Sequence, residues 1–253
     1  MAKSAGVVLL TSLDPRRLKT PTAFLPFGEG TALERTLAAY KSLAPAEIVV
    51  VSAESPDRLR EALGKSVEGV TLVTSPDVRG RMGQGLKLGI ERLSSRPDII
   101  VIGLGDQPLL NPDLMKDLRS RFEAADGGIG VAVCQGTPGH PVFFASSYFT
   151  ELTQMRPEET HRALLIRHPD DVVDLTTEET AVLRTIDNPE SYRELLAIAG
   201  LPAPPAPVFV EPPKALPREP EPEPEPETGD EAHVPSGDEA HVPSDAEAAP
   251  HES

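Results

Sequence analysis

The sequence predicts a three-layer α/β/α domain on a mostly parallel, mixed sheet, followed by an acidic tail. Through residues 1–200, short apolar segments of strand length alternate with amphipathic helical segments, which is typical of a parallel sheet covered by helices on both faces. Beyond Gly200 the composition changes to fourteen prolines and thirteen acidic residues in 53 positions. Such a segment has too little apolar surface to fold, so we expect a folded domain at 1–200 and a disordered tail at 201–253.

The first part of the domain contains predicted strands and helices in strict alternation. The strands are the apolar runs Gly6–Leu10, Ile48–Ser52, Val70–Thr74, Ile99–Leu104 and Ile129–Val133. The helices lie between them, at Ala32–Leu43, Pro56–Leu63, Met82–Leu93 and Pro112–Ala125. Asn111 is the expected N-cap of the last of these helices, with Pro112 at its first position. Ligands of open α/β sheets bind at the carboxyl ends of the strands, so the loops after these strands are the expected site.

The pattern changes after Val133. Further strands are predicted at Val142–Phe144, Val172–Leu175 and Val182–Thr185, and further helices near Ser147–Gln154, Glu158–Arg167 and Pro189–Ala199. We expect these mixed elements to build a lid over the first half.

Charge and cysteine content restrict the cellular setting. The net charge is −16, but −11 of it lies beyond Gly200, so the folded part carries only −5. This balance argues against nucleic acid as a partner, although single nucleotides need only a few local donors. Cys134 is the single cysteine, which fits a reducing cytosol, and no apolar run is long enough for a secretory segment or a membrane span. We therefore expect a cytoplasmic protein that does not bind membranes.

The tail contains a tandem octapeptide, Gly-Asp-Glu-Ala-His-Val-Pro-Ser, at positions 229–236 and 237–244. Its composition favours a solubilising segment over a spacer or docking segment.

Two carboxylates are candidate metal ligands. Asp106 follows the apolar strand Ile99–Leu104 and Gly105, so it stands at a strand end where Mg²⁺ and phosphates can meet. A solvated turn explains this spacing equally well. Asp187 precedes a helix that begins at Pro189, and by itself it is better explained as a carboxylate at a helix N-terminus.

The remaining candidates are weaker. The loop Thr11–Pro21 carries Arg16, Arg17 and Lys19 but no glycine, so phosphate binding there depends on side-chain charge and a solvated basic loop is an equal alternative. His140, in a turn before an apolar strand, is a possible substrate donor, although a structural role is more common. We assign no chemistry to His161 or His168.

Together these segments resemble the molybdenum-cofactor cytidylyltransferases, MobA-like nucleotidyltransferases with the GT-A-type fold of the nucleotide-diphospho-sugar transferases. The resemblance covers residues 7–196. The matching segments are Leu-Gly-Asp-Gln-Pro-Leu at 104–109, Gly-His-Pro-Val-Phe-Phe at 139–144, Ile-Asp-Asn-Pro-Glu-Ser-Tyr at 186–192, and Ser-Pro-Asp with Met-Gly and Leu at 75–86.

The resemblance implies Mg²⁺-dependent transfer of a nucleoside monophosphate from a nucleoside triphosphate, with CTP favoured over GTP, to a phosphorylated pterin acceptor, molybdopterin. A molybdoenzyme or chaperone is a further implied partner. The implied metal ligands are Asp106 and Asp187; the implied catalytic residues are Asp106, Lys19 and Arg17; the nucleotide-binding residues are Arg16, Arg17, Lys19 and Gln84; the acceptor-binding residues are Gly139, His140 and Gln107.

Departures from the family pattern concentrate in the first loop. Thr11-Ser12-Leu13 replaces a small-Ala-Gly turn, Leu18-Lys19 replaces Met-Gly, and Thr22 stands where the family has lysine. Gln84-Gly85 replaces Ser-Ser, and residues 157–162 replace Gly-Asp-x-Gly-Ala-Arg. Two alternatives therefore stay open: a non-catalytic accessory protein that binds a nucleotide or cofactor, and a sugar-phosphate nucleotidyltransferase. Pyrophosphate release separates the accessory protein from the enzyme.

Overall fold

The computed structural model describes residues 3–11 and 21–204. The strands within these residues are β1 (Ala5–Thr11), β2 (Pro26–Phe27), β3 (Gly30–Thr31), β4 (Glu47–Ser52), β5 (Thr71–Thr74), β6 (Ile99–Leu104), β7 (Ile129–Cys134), β8 (Thr137–Ala145) and β9 (Val172–Thr177). The α-helices are α1 (Ala32–Lys41), α2 (Pro56–Leu63), α3 (Met82–Glu91), α4 (Pro112–Ala124), α5 (Phe149–Thr153), α6 (Arg162–Arg167) and α7 (Pro189–Ile198). Short 3-10 helices lie at Thr22–Phe24, Gly64–Val67, Pro76–Val78, Ser146–Tyr148, Pro169–Asp171 and Thr180–Leu183.

Local sequence signals account for where several helices begin. Asn111 caps α4 as predicted, because its side chain accepts a hydrogen bond from the Leu114 amide at 2.9 Å. At α1, Thr31 and Glu34 form a reciprocal capping box. None of the helices in the described part of the chain is long and apolar enough to cross a membrane.

The predicted three-layer fold is confirmed. In the described part of the chain, seven strands form one sheet in the order β5-β4-β1-β6-β8-β7-β9. β5, β4, β1 and β6 are parallel, β8 runs antiparallel to both neighbours, and β9 is parallel to β7. One face packs against α1, α2 and α4, and the other packs against α3, α5 and α6. Both faces are apolar at β1, β4, β6 and β7, which are buried on two sides, whereas the edge strands β5 and β9 are partly exposed.

Two expectations for the second half are wrong. The segment Val182–Thr185 is not a strand: Thr180–Leu183 forms a 3-10 helix, and its Val182 packs into the core beneath β8. The second half also does not form a lid, because β8 pairs with β6, β7 pairs with β8 and β9 pairs with β7, so that all three extend the same sheet. An apolar pair such as Val182-Leu183 fits a buried helical turn as well as it fits a strand, so periodicity over so few residues does not decide between them.

A third, smaller core joins the β2–β3 hairpin to α7. Leu25 and Phe27 pack there against Ile186, Tyr192 and other apolar residues of α7. The Tyr192 hydroxyl donates to the Pro26 carbonyl and ties the helix to the hairpin. Leu201 continues this packing beyond α7, and its amide donates to the Leu196 carbonyl at 2.8 Å.

Candidate functional site

The carboxyl ends of β1 and β6 meet at a tightly packed corner. The amide of Gly105 donates to the Leu10 carbonyl at 2.8 Å. A Cβ on residue 105 would lie 2.8 Å from Thr11 Cβ and 2.8 Å from Leu33 Cδ1, so only glycine fits there. This close approach fixes where the chain leaves the sheet and places Asp106 at its edge.

Asp106 is a partly buried carboxylate with one satisfied oxygen. Its Oδ2 accepts a hydrogen bond from Thr22 Oγ1 at 3.1 Å. Its Oδ1 is buried and has no hydrogen-bond partner among the described residues. Burial raises the pKa of the Asp106 carboxyl to about 6, the Thr22 hydrogen bond opposes this rise, and the charge of Asp187 adds to it. Among the described residues, none is a cationic partner of the Asp106 carboxylate.

Asp187 lies beside Asp106, as the sequence prediction requires of a shared site. The amide of Ile186 donates to the Asp106 carbonyl at 3.1 Å, which joins the two segments directly. Asp187 itself is exposed; its Oδ2 accepts from Thr185 Oγ1 at 3.0 Å, and its amide donates to Ser191 Oγ at 2.9 Å in the first turn of α7. Two carboxylates from distant parts of the sequence thus converge at one edge of the sheet.

The described residues offer no group of three or more histidine, cysteine, aspartate or glutamate side chains that would hold a metal ion. A cation held by Asp106 and Asp187 would take its remaining ligands from phosphate oxygens and water, which is the usual arrangement for Mg²⁺ at a nucleotide site. The pair suits a cation that binds together with a phosphorylated ligand.

Tyr40 is a neighbour of this corner that the sequence did not reveal. Its hydroxyl is fully buried without a hydrogen-bond partner in residues 3–11 and 21–204. Burial and the nearby charge of Asp106 both raise the pKa of this phenol. A Cβ on residue 103 would lie 2.0 Å from the hydroxyl, so Gly103 makes the space for it. A tyrosine in the last turn of an apolar helix carries no signal of such a position.

Gln107 and Gly139 support the same neighbouring segment. Gln107 is fully buried, and its Nε2 donates to the Val182 carbonyl at 3.1 Å. A Cβ on residue 139 would lie 2.2 Å from that carbonyl oxygen, so β8 approaches the 3-10 helix Thr180–Leu183 closely at this point. These contacts are structural, and the acceptor-binding role of both residues stays a prediction.

His140 is brought to the same edge of the sheet. Gly139, directly before His140, approaches the Val182 carbonyl that also accepts from Gln107, the residue after Asp106. The imidazole is buried and meets the ring of His161 edge to face, with ring centroids 5.0 Å apart. No pattern in the sequence predicts the contact between these two histidines.

The predicted nucleotide-binding residues are only partly described. Gln84 lies in the first turn of α3, and its amide donates to the Pro157 carbonyl at 3.3 Å. Arg16, Arg17 and Lys19 lie outside the described residues, so their roles stay predictions.

A surface pocket of about 530 Å³ lies beside the β2–β3 hairpin, and neither Asp106 nor Asp187 lines it. None of the predicted site residues lines it. Its lining residues are Phe27, Gly28, Glu29, Gly30, Thr31, Glu34, Arg35 and Leu201.

Comparison with known proteins identifies the family and the fold. The family profile of the MobA-like NTP transferase domain matches residues 8–172. The chain belongs to this family. It is a nucleotidyltransferase by family.

Among solved structures, Rv0371c from Mycobacterium tuberculosis H37Rv is 25% identical with a TM-score of 0.67, covering 78% of this chain and 100% of that protein. Rv0371c has also been solved in complex with manganese. A cytidylyltransferase from Leptospira borgpetersenii shares this fold of the MobA-like transferases, with a TM-score of 0.59, 18% identity, and coverage of 80% of this chain and 89% of the other.

Among curated sequences, the bifunctional protein GlmU of Kineococcus radiotolerans is 30% identical over 135 residues, which is 52% of this chain. The matched region spans 27% of the length of that protein, so the likeness concerns one portion of a much longer chain.

Proposed function

We propose that this MobA-like transferase catalyses Mg²⁺-dependent transfer of a nucleoside monophosphate from a nucleoside triphosphate, CTP in preference to GTP, to the phosphate of a pterin acceptor, molybdopterin, in the cytoplasm. The observation that carries the proposal is the convergence of Asp106 and Asp187 at the sheet edge, with Asp106 Oδ1 buried and unpartnered within the described residues. Two adjacent carboxylates repel each other unless a cation lies between them, so the pair fits a divalent ion.

Asp106 and Asp187 would hold the Mg²⁺, which when bound supplies positive charge to the phosphates of the nucleotide. The manganese complex of Rv0371c supports a divalent ion in this fold. The cytidylyltransferase of Leptospira borgpetersenii, a protein of the same fold, supports CTP as the donor.

The reaction needs little covalent participation by the protein. A phosphate oxygen of the acceptor attacks the α-phosphorus, a new oxygen–phosphorus bond forms, the bond to the bridging oxygen breaks, and pyrophosphate leaves. Because the acceptor phosphate is already a good nucleophile, positioning and charge neutralisation supply most of the rate. In the proposal Arg16, Arg17, Lys19 and Gln84 hold the triphosphate, and His140 contacts the acceptor.

The proposal gives Lys19 a role in catalysis because Thr22 replaces the lysine of the resembled family. Thr22 stands where the resembled family has lysine, and its hydroxyl is used to donate to Asp106. It therefore supplies no positive charge to the leaving pyrophosphate, and we assign that task to Lys19 together with Arg17.

The same observation about Thr22 favours the second candidate, an accessory protein that binds a nucleotide or cofactor without turnover. Under this alternative the carboxylate corner binds a metal–nucleotide complex, but no lysine side chain neutralises the terminal phosphates, so pyrophosphate does not leave.

Pyrophosphate release decides between the two functions. With Mg²⁺ and molybdopterin, we expect the wild-type protein to release pyrophosphate from CTP or GTP. Lys19→Ala should lower this rate more than tenfold, equivalent to about 1.4 kcal/mol or more of barrier. Thr22→Lys should restore part of the rate to the Lys19→Ala protein. Lys116→Ala, which removes an exposed lysine of α4, is the matched control and should leave the rate unchanged.

Nucleotide binding without pyrophosphate release in the wild type would establish the accessory protein instead. Absence of both binding and release would reject both functions.

A further inference from the structure

His140 and His161 form a buried pair whose polar atoms are unsatisfied. Their relative exposures are 9% and 4%, and their rings meet edge to face at 5.0 Å. His140 Nε2 and His161 Nδ1 are both buried without a hydrogen-bond partner in the described part of the chain. Leaving a buried imidazole nitrogen unpaired costs free energy, so two together in one place require an explanation.

The pair lies at the edge of the sheet where the carboxylate corner is. His140 shares a face of the sheet with Val142, two residues along β8, and that face packs against α3, α5 and α6. Leu104, the last residue of β6, packs against the same core and is partly exposed.

His161 reaches this position through a loop that is pressed against the start of α3. A Cβ on Gly83 would lie 2.1 Å from the Arg156 carbonyl oxygen and 3.1 Å from that of Glu159. The Gln84 amide donates to the Pro157 carbonyl at 3.3 Å. The loop is therefore held firmly, and its last residue, His161, is directed onto His140.

Burial keeps both rings neutral. It lowers the pKa of His140 well below its usual value and the pKa of His161 to about 4, and the exposed guanidinium of Arg162 lowers both further. A neutral imidazole offers one donor and one acceptor, whereas phosphate oxygens require donors. The pair is therefore suited to bind an uncharged heterocyclic ring that carries a hydrogen-bond donor and an acceptor side by side on one edge.

We propose that His140 and His161 form a subsite for the hydrogen-bonding edge of a neutral heterocyclic ring, with His161 setting its specificity. The subsite rests on the proposed function, which supplies two such rings: the pterin of the acceptor and the base of the nucleotide. It goes beyond that function because the proposed function assigns no role to His161.

The test uses the full-length protein and ligands without phosphate. 6-Hydroxymethylpterin and cytidine are titrated separately, with pyrophosphate as the anionic probe, and the imidazole ¹⁵N resonances of both histidines are followed. We expect one of the two rings to bind and to shift both sets of resonances, and pyrophosphate to leave them unchanged. The ring that binds identifies the source of the heterocycle.

His161→Phe is the decisive variant because it keeps a ring against His140 and removes the nitrogen. Replacing an unsatisfied buried polar group by an apolar one of similar shape should leave the melting temperature equal or higher. The affinity for the heterocycle should fall at least tenfold. His168→Phe, at the far end of α6, is the matched control and should bind the ring as the wild type does.

Binding of neither ring, unchanged affinity in His161→Phe, or a response to pyrophosphate alone would each overturn the subsite. Failure of the proposed function has a different signature: the ring binds and the histidine resonances shift, but no pyrophosphate is released from CTP or GTP.

Discussion

Asp106 has a well-defined position, but its carboxylate is poorly solvated. Gly105 fixes its backbone, Thr22 holds one of its oxygens, and the other oxygen faces the interior without a described partner. The folded protein therefore binds a proton at Asp106 at pH values where the unfolded chain has lost it. Ionisation of this residue weakens the fold, and a bound cation would remove that cost.

We expect Asp106→Asn to stabilise the protein without ligand in a pH-dependent way. The pKa is raised from 3.8 to about 6, so at pH values well below 3.8 the carboxyl is protonated in both states and the substitution gains nothing. As the pH rises from 4 to 6 the wild type loses stability, and above pH 6 the variant should exceed it by up to about 3 kcal/mol. Urea unfolding at pH 4 and pH 8 measures the difference.

Asp126→Asn changes an exposed aspartate before β7 and serves as the control, with no pH-dependent gain expected. An equal effect of the two substitutions at pH 8 would contradict the assigned environment of Asp106.

At the scale of residues, the sequence does not show which side chains lie next to each other in the folded protein. The resemblance to one family predicts Asp106 and Asp187 as a pair of metal ligands, whereas the spacing of each residue alone is also explained by a solvated turn or a helix N-terminus. The sequence analysis assigns no role to Tyr40 or His161. Tyr40 lies within α1 and His161 directly precedes α6, and no sequence motif marks either position as part of a site. Tyr40 is packed against Gly103, and His161 is packed against His140. Hydrophobic periodicity does not predict such contacts between residues that are far apart in the sequence.

At the scale of elements, the parallel half of the sheet was predictable because each strand is long, apolar and bounded by loops. The antiparallel β8 was predicted too short, and Thr180–Leu183 was assigned to the wrong type of structure. Both errors arise where tertiary contact decides the outcome. Gly139 of β8 lies against the Val182 carbonyl, and this contact requires the 3-10 turn rather than an additional strand.

Gly139→Ala tests this contact. The added Cβ would lie 2.2 Å from a backbone oxygen that also accepts from Gln107, so the 3-10 helix must move and a buried hydrogen bond must weaken. We expect a loss of about 1–3 kcal/mol of unfolding free energy, measured by urea denaturation. Thr137→Ala, at an exposed position of the same strand, should change it by less than about 0.5 kcal/mol. Equal stability of the two variants would show that β8 has room at Gly139.

At the scale of the whole molecule, the open question is where the folded domain ends and the Pro- and Glu-rich segment begins. The boundary predicted at residue 200 stays a proposal, and residues 205–253 lie outside the described part of the structure. Leu201 packs against α7 and lies 3.7 Å from a Cβ built on Gly28, so the packing of the domain continues past Gly200.

Two truncations test where the domain ends. Ending the chain after Pro204 should leave the melting temperature unchanged, because the removed segment is too polar to contribute to a core. Ending it after Gly200 removes the partly buried Leu201, worth about 1 kcal/mol, and should lower the melting temperature by roughly 2–4 °C. Differential scanning calorimetry measures both. A large loss for the Pro204 truncation would show that the acidic segment packs on the domain.

The small core between the β2–β3 hairpin and α7 has a consequence for how the protein responds to heat. Asp106 is anchored by the central sheet, whereas Asp187 is held through Ile186 and the first turn of α7, which belong to that small core. Small clusters open at lower free energy than the sheet that they cover. Local melting of α7 would therefore separate the two carboxylates while the sheet stays folded, so the working temperature of the site is set by the hairpin and its helix rather than by the unfolding of the domain.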